Sequence, residues 1–164
     1  PLRDLVKENI FNIIHHSNLL DINLKKSNVL DLYSGSGSFG IECISRGAIN
    51  TTFVENNSDA VKILIKNLTR FSLDSKCFLI EKEINRGIEL LAPTEGFNIF
   101  FLDPPFSDTK YLEILNLLKK KKFYKKKHIV IIHRENINSE NIEGELNVLL
   151  VKKYGRSRII FGKF

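Results

Sequence analysis

The stretch Asn28–Gly40 reads NVLDLYSGSGSFG, an apolar run that leads directly into three glycines. Gly35, Gly37 and Gly40 have the spacing G-x-G-x-x-G between a predicted strand and a predicted helix, which is the context that this motif requires. The first two glycines allow a tight turn close to a ligand, and the third lets the helix pack near the sheet. The stretch predicts a site for a nucleoside-containing cofactor in an α/β fold, although a purely structural turn would give the same pattern.

Apolar strand-like runs and helical runs alternate on both sides of this stretch. The first five predicted strands are continuous apolar runs, as in strands covered on both faces, and their alternation with helices predicts a parallel doubly wound sheet. Only Gly155–Ser157 joins the last two strands, so these should form an antiparallel hairpin. The predicted strands are Asn28–Tyr33, Thr51–Glu55, Cys77–Lys82, Asn98–Asp103, His128–His133, Leu146–Lys153 and Arg158–Phe161, and the predicted helices are Leu2–His15, Ser38–Arg46, Ser58–Phe71, Ile84–Leu91 and Thr109–Lys120.

Length and composition fit a single domain. The chain has 164 residues, of which 43% are hydrophobic and 27% charged, so it can bury one core but not two. We expect residues 1–27 to form an N-terminal helical segment and residues 28–164 to form the sheet core. No apolar run could span a membrane, two cysteines cannot make a disulfide scaffold, and no signal peptide is visible, so we expect a cytoplasmic protein. The sequence starts at Pro1, so we expect it to be cut from a longer reading frame.

Positive charge is concentrated in the last third of the chain. Residues 1–100 carry 11 Lys/Arg and 12 Asp/Glu, whereas residues 101–164 carry 14 and 7. This asymmetry favours an anionic partner such as nucleic acid, although a lysine-rich composition from biased codon usage gives the same counts. We interpret the lysine run Lys119–Lys127 as a solvated helix end opposite the site. The better candidates for contact with nucleic acid are Lys152, Lys153, Arg156 and Arg158.

Acidic residues near the ends of the first three strands favour one class of cofactor. Asp31 lies four residues before Gly35, where its carboxylate would repel a pyrophosphate but attract the ammonium group of S-adenosyl-L-methionine. Glu55 lies 20 residues after Gly35, where it can accept hydrogen bonds from ribose hydroxyls. Glu83 can reach an adenine edge with Ile84 on the ring, although an ordinary solvated glutamate is an equal alternative. The candidate cofactor contacts are Asp31, Tyr33, Gly35, Gly37, Glu55, Asn56, Glu83 and Ile84.

A second loop follows the fourth predicted strand, where Asn98–Ser107 reads NIFFLDPPFS. Ligands of open α/β sheets bind beyond the carboxyl ends of the strands, so Asp31 and Asp103 should face one crevice. Prolines lack an N–H and an ionised aspartate only accepts, so this loop offers acceptors for both hydrogens of an exocyclic amine. Such acceptors would aim the amine lone pair at an electrophilic methyl group, while Phe106 stacks on the base. A Pro-Pro turn with Phe106 in the core is the structural alternative. The candidate catalytic residues are Asp103, Pro104, Pro105 and Phe106.

Taken together, these segments resemble a known family. VKENIFNII, DLYSGSGSFGIECISRGA, FVE, NIFFLDPPF and KKYGRSRIIF are similar to the bacterial 16S ribosomal RNA guanine-N2 methyltransferases of the RsmD type, over nearly the whole chain. The resemblance implies a Rossmann-like class I methyltransferase fold, with a seven-stranded sheet closed by an antiparallel hairpin. It also implies that S-adenosyl-L-methionine is the methyl donor. The implied substrate is the exocyclic N2 amine of one guanine in 16S ribosomal RNA, in assembled small-subunit particles.

Some features depart from the family or leave other functions open. Family members usually carry a basic β-hairpin before the first helix, whereas the present sequence begins at that helix. One alternative is an amino methyltransferase for adenine or protein glutamine, although many of these have Asn where Asp103 stands. Another is a catalytically silent RNA-binding module, and a nicotinamide dehydrogenase would need a further substrate domain. The four histidines lack ligand spacing, so we predict no metal site, and we expect a monomer.

Overall fold

The computed structural model describes residues 2–92, 96–136 and 140–164, which form a seven-stranded sheet flanked by helices. The strands are β1 (Asn28–Leu32), β2 (Asn50–Val54), β3 (Cys77–Ile80), β4 (Phe97–Leu102), β5 (Tyr124–Glu135), β6 (Asn147–Tyr154) and β7 (Ser157–Lys163). The described helices are α1 (Asp4–His16), α2 (Ser38–Ser45), α3 (Ser58–Arg70), α4 (Ile84–Leu90) and α5 (Tyr111–Lys121). The strand order is β3-β2-β1-β4-β5-β7-β6, with β1 to β5 parallel and β6 and β7 in an antiparallel hairpin. The predicted doubly wound fold and its terminal hairpin are confirmed.

Strand β5 differs most from its predicted bounds, because it begins at Tyr124 rather than at His128. Tyr124 pairs with Phe97 of β4 across a register shift, and its ring packs near those of His128 and Phe164. These contacts extend the strand through the second half of the lysine run. The first half of the run forms the end of helix α5. The interpretation of the whole run as a helix end is therefore only partly correct.

Alternating side chains of the central strands build a core on each face of the sheet. Val29 and Ile129 belong to one apolar cluster with α1 and α2. Leu30 and Val130 point the other way, into a cluster with α4 and α5. Burial on both faces explains why these strands are continuous apolar runs rather than alternating ones.

Strand β3 corrects the expectation that the first five strands are covered on both faces. It forms one edge of the sheet, and the side chain of its Phe78 is 58% exposed. An apolar run of four residues is too short to distinguish an edge strand from a central one. The sequence therefore predicted the strand correctly and its coverage wrongly.

The carboxyl ends of β1, β2, β4 and β5 meet at one edge of the sheet, where ligands bind in folds of this type. The β6–β7 turn lies at the same edge, because Glu135 near the end of β5 pairs with Ser157 at the start of β7. The amino end of β5, with its lysines, lies at the opposite edge. Within the described residues, no helix has the length and apolar character needed to cross a membrane.

Candidate active site

A cavity of about 1040 Å³ opens at the carboxyl edge of the sheet, between the glycine loop and the proline loop. Ten of the twelve residues predicted from the sequence line it: Tyr33, Gly35, Glu55, Asn56, Glu83, Ile84, Asp103, Pro104, Pro105 and Phe106. Asp31 and Gly37 are not among the lining residues. The two predicted loops therefore meet in one crevice.

The glycine loop has a backbone that non-glycine residues adopt only with strain. Gly35 and Gly37 have φ angles of +56° and +81°, in the left-handed region. At Gly35 an added Cβ would meet no atom within 4 Å, whereas at Gly37 it would clash with a methyl carbon of Leu64 in α3. Gly35 thus lines the cavity, and Gly37 lets the start of α2 pack against α3.

Asp31 lies under α2 rather than in the cavity, and its side chain is 1% exposed. Its Oδ2 accepts a hydrogen bond from the Gly40 N–H at 3.0 Å, while Oδ1 has no hydrogen-bond partner within the described part of the chain. Burial raises the pKa of Asp31 well above its usual value, and the nearby negative charges of Asp103 and Glu55 raise it further. A cationic ligand in the cavity would favour the ionised form of this carboxyl group.

Glu55 ties the loops after β1 and β2 together. One of its carboxylate oxygens accepts from the Gly35 N–H at 2.7 Å, and the other accepts from the N–H groups of Asn56 and Asn57, each at 3.0 Å. A carboxylate has about four lone-pair positions, so one acceptor position remains on the oxygen that faces Gly35. Glu55 can therefore hold the shape of the loop and still accept one further hydrogen bond.

Asp103 is held by a histidine that sequence reasoning did not select. The Oδ1 atom of Asp103 lies 2.9 Å from Nδ1 of His133, which lies at the carboxyl end of β5 and is 2% exposed. The other ring nitrogen of His133 lies 2.8 Å from Oγ of Ser157 in β7. Because β5 is next to β4, the histidine comes beside the proline loop, which no spacing in the sequence indicates.

The backbone of the proline loop is held by Arg134, whose side chain is fully buried. Its guanidinium donates to the carbonyl oxygens of Pro105 at 3.1 Å, Phe106 at 2.9 Å and Asp108 at 3.2 Å, and lies 3.5 Å from that of Pro104. Burial lowers the pKa of Arg134, but the hydrogen bond and charge of Glu140 outweigh it and raise the pKa overall. Sequence reasoning missed Arg134 as well.

Phe106 lies at the mouth of the cavity, with its ring 36% exposed. Its ring meets that of His133 edge to face, with 5.4 Å between centroids. The alternative in which Phe106 belongs to the core therefore does not hold. An aromatic ring at this position is available to stack on a base.

The charged residues that line the described part of the cavity are all acidic. Among the described residues that line it, four are acidic and none is lysine or arginine; the acids are Glu55, Glu83, Asp103 and Asp108. A pyrophosphate placed here would be repelled, whereas a cation would be attracted. The cavity therefore suits a cationic ligand better than a polyanion.

The strand order and the terminal antiparallel hairpin define a class I methyltransferase fold. A solved structure of a conserved hypothetical protein from Streptococcus pyogenes has this architecture, with a TM-score of 0.81 and 27% identity over 97% of this chain and 96% of that one.

The chain belongs to the RsmD family of ribosomal RNA methyltransferases, because the family described as Conserved hypothetical protein 95 matches residues 1–163. It is 30% identical to ribosomal RNA small subunit methyltransferase D of Buchnera aphidicola subsp. Baizongia pistaciae, over all of this chain and 80% of that protein. The Haemophilus influenzae protein of the same name is 30% identical over 82% of this chain and 67% of that protein.

Proposed function

We propose that this protein transfers a methyl group from S-adenosyl-L-methionine to the exocyclic N2 amine of a guanine in 16S ribosomal RNA. The observation that carries the proposal is the cavity itself, which joins an acidic, cation-attracting half to a loop of fixed acceptors. Family membership supports ribosomal RNA as the substrate class. The choice of guanine N2 rests on the resemblance of the motifs, and assembled small-subunit particles are the proposed form of the substrate.

The cofactor half of the cavity has the chemistry that a sulfonium donor needs. We propose that Tyr33, Gly35, Glu55 and Asn56 hold the methionine and ribose parts, and that Glu83 and Ile84 hold the adenine. Asp31 and Gly37 support this half from beneath, by fixing the first turn of α2 and its packing. S-adenosyl-L-methionine supplies an electrophilic methyl group on a positively charged sulfur. The unshared Oδ1 of Asp31 and the acidic lining compensate that charge.

The proline loop would hold the target amine. Asp103 has one carboxylate oxygen on His133, and its Oδ2 has no partner within the described residues, so Oδ2 is available to accept from the amine. The Pro104 carbonyl is the acceptor least engaged by Arg134, at 3.5 Å, so it can take the second hydrogen. Phe106 would stack on the base at the cavity mouth. These contacts orient the nitrogen lone pair towards the methyl group, which supplies the proximity term of catalysis.

The proton balance assigns Asp103 a second role. Methyl transfer would form the nitrogen–carbon bond, break the carbon–sulfur bond and place positive charge on the amine nitrogen. The carboxylate of Asp103 would stabilise this charge through its hydrogen bond, and its Oδ2 would accept the proton that the nitrogen loses. The proton would then pass to solvent at the open mouth, leaving a methylated amine and a neutral thioether.

The surface beside the cavity offers a place for RNA phosphates. Three exposed side chains lie at or near the β6–β7 turn, on the same edge of the sheet as Asp103; these hairpin cations are Lys152, Lys153 and Arg156. Arg158, also predicted to contact nucleic acid, is instead largely buried and lies 3.8 Å from Glu140. The lysine run lies at the opposite edge. We therefore propose that the hairpin cations contact RNA.

The experiment that tests the proposal identifies the methylated nucleoside. Purified protein is incubated with isotopically labelled S-adenosyl-L-methionine and small-subunit particles from a strain that lacks the corresponding methyltransferase. Naked 16S ribosomal RNA is the parallel substrate. The RNA is digested and its nucleosides are identified by mass spectrometry, with the Asp103→Ala variant as the inactive control. We expect labelled N2-methylguanosine from the particles and none with the variant.

Other products would overturn specific parts of the proposal. Labelled N6-methyladenosine would mean that the fold is right but the base is wrong. Methylation of naked RNA alone would remove the assembled particle as substrate. If no RNA is labelled and titration calorimetry shows no heat with S-adenosyl-L-homocysteine, the chain is not a methyltransferase and the silent binding module is favoured.

A further inference from the structure

His133 and Arg134 are consecutive residues at the end of β5, and both reach the proline loop from opposite faces of the sheet. We propose that these two positioning residues act as a clamp, which presets the acceptors of the proline loop before the target base arrives. The inference rests on the proposed function, because it concerns the same loop. It adds two residues that neither the sequence motifs nor the family assignment provides.

The composition of the loop explains why a buried cation is needed. Pro104 and Pro105 have no N–H, so the loop presents several carbonyl oxygens with few donors of its own. Buried carbonyl oxygens without partners destabilise a fold, and a guanidinium with its five N–H donors can satisfy several together. Arg134 does so for consecutive carbonyls from Pro105 to Phe106 and again at Asp108.

The charge of Arg134 is balanced on the side away from the loop. Glu140 accepts from Nη2 at 2.5 Å and from Nε at 3.1 Å, which is a two-point contact. The hydroxyl of Tyr111 donates to the same carboxylate at 2.6 Å, and its ring lies 4.4 Å from the guanidinium carbon. Arg134 is therefore fixed on one side by Glu140 and Tyr111, and it holds the loop with the donors that remain.

His133 fixes the direction of the Asp103 carboxylate. An ionised carboxylate only accepts, so Nδ1 of His133 carries the hydrogen and donates to Oδ1. In that tautomer Nε2 is an acceptor, and it receives the hydroxyl hydrogen of Ser157. Because Nδ1 already bears a proton, His133 positions Asp103 and does not take the proton of the amine. The free oxygen, Oδ2, is left for the substrate.

Two isosteric substitutions separate the two hydrogen bonds of His133. The amide nitrogen of asparagine occupies nearly the position of Nδ1, and that of glutamine nearly the position of Nε2. His133→Asn therefore keeps a donor for Asp103 and loses Ser157, whereas His133→Gln does the reverse. We expect kcat of the asparagine variant to exceed that of the glutamine variant by about tenfold or more, since misplacement of a reacting group can cost up to about a hundredfold.

Arg134→Lys tests the other half of the clamp, with Arg158→Lys as the matched control. Both arginines lie near Glu140, but within the described residues only Arg134 of the two donates to the loop carbonyls. A lysine keeps the charge but cannot reproduce the fork of donors. We expect kcat to fall about 30-fold or more in Arg134→Lys, with affinity for S-adenosyl-L-homocysteine within about threefold of the wild type. Arg158→Lys should change kcat by less than about threefold.

A measurement that needs no activity reports on the loop directly. The Asp108 N–H donates to the Pro105 carbonyl at 2.8 Å, so its exchange with deuterium follows the opening of the loop. We expect exchange at Asp108 to accelerate about tenfold or more in Arg134→Lys, while amides of β1 exchange as in the wild type. Thermal unfolding of each variant shows whether a change is global instead.

The outcomes separate failure of the clamp from failure of the proposed function. Equal kcat in the two His133 variants, or unchanged Asp108 exchange in Arg134→Lys, would overturn the corresponding half of the clamp in an active enzyme. If the wild type methylates no RNA, the proposed function fails, and the exchange experiment still decides whether Arg134 holds the loop. Equal losses in Arg134→Lys and Arg158→Lys would mean that the Glu140 network has only a general structural role.

Discussion

Replacing Glu55 should weaken cofactor binding more than the loss of one negative charge explains. Its carboxylate accepts three backbone N–H groups, from Gly35 at 2.7 Å and from Asn56 and Asn57 at 3.0 Å. In Glu55→Ala these donors face water or an unsatisfied position, and the proposed acceptor for the ribose is removed. The substitution therefore affects both the shape of the loop and a direct contact with the ligand.

The expected loss follows from the bonds that are removed. A hydrogen bond to a charged group contributes about 1.5–3 kcal/mol, and water recovers much of this where the amides are exposed. We expect cofactor affinity to fall by about 1–3 kcal/mol, which is a factor of about 5–150 in Kd. Cofactor binding to Glu55→Gln should be nearly as weak. The NH2 group of the glutamine would face backbone N–H donors, from which the carboxylate accepts in the wild type.

Isothermal titration with S-adenosyl-L-homocysteine measures this directly, and Glu81→Ala provides the matched control. Glu81 is an exposed acid that follows β3 and does not line the cavity. Glu81→Ala should leave Kd within about twofold, since a solvent-exposed charge contributes little where water and salt screen it. Unchanged Kd in Glu55→Ala would mean that the ribose is held elsewhere. Equal losses in both variants would reduce the role of Glu55 to its charge.

Three further substitutions test other parts of the site. Asp103→Ala should abolish methyl transfer while S-adenosyl-L-homocysteine affinity stays within a few fold; retained activity would remove Asp103 from the mechanism. Neutralising the three hairpin cations should reduce the magnitude of the negative slope of log affinity for RNA against log salt by about 2. Neutralising Lys119, Lys120 and Lys121 should leave this slope unchanged. Because burial raises the pKa of Asp31, the wild type should lose stability relative to Asp31→Asn as pH rises above about 4. A difference between the unfolding midpoints of the two proteins that stays constant with pH would contradict this.

The two loops of the site could be predicted from the sequence because a few consecutive residues determine the conformation of each loop. A glycine spacing after a strand and an Asp-Pro-Pro-Phe segment after another strand each restrict the backbone within a few residues. Strand order then brings the loops together, since β1 and β4 are neighbours in the sheet. Six of the ten predicted residues that line the cavity belong to these two loops, and the other four follow β2 and β3 at the same edge of the sheet.

The sequence could not show which residues lie beneath the cavity. Strand β1 ends at Leu32, so Asp31 lies within the strand and under α2 rather than at its tip. Nor could spacing reveal His133 and Arg134, which reach the proline loop only because β5 pairs with β4. Ser157, the partner of His133, lies in the β6–β7 hairpin, and Glu140, the partner of Arg134, lies in the connection from β5 to β6. These contacts therefore depend on the tertiary structure.

The opposite charges of the cavity and its rim constrain how RNA can bind. Four carboxylates line the cavity and repel a phosphate. At physiological salt this repulsion is weakly screened within about 8 Å and largely screened beyond it. Under the proposed function, the phosphates would stay outside, near the hairpin cations, while the target amine would reach Asp103 inside. Both conditions are met if the base leaves its stack and enters alone, with Phe106 at the mouth in place of the lost stacking. The acidic interior that we propose to bind a sulfonium would then also exclude the backbone of the substrate.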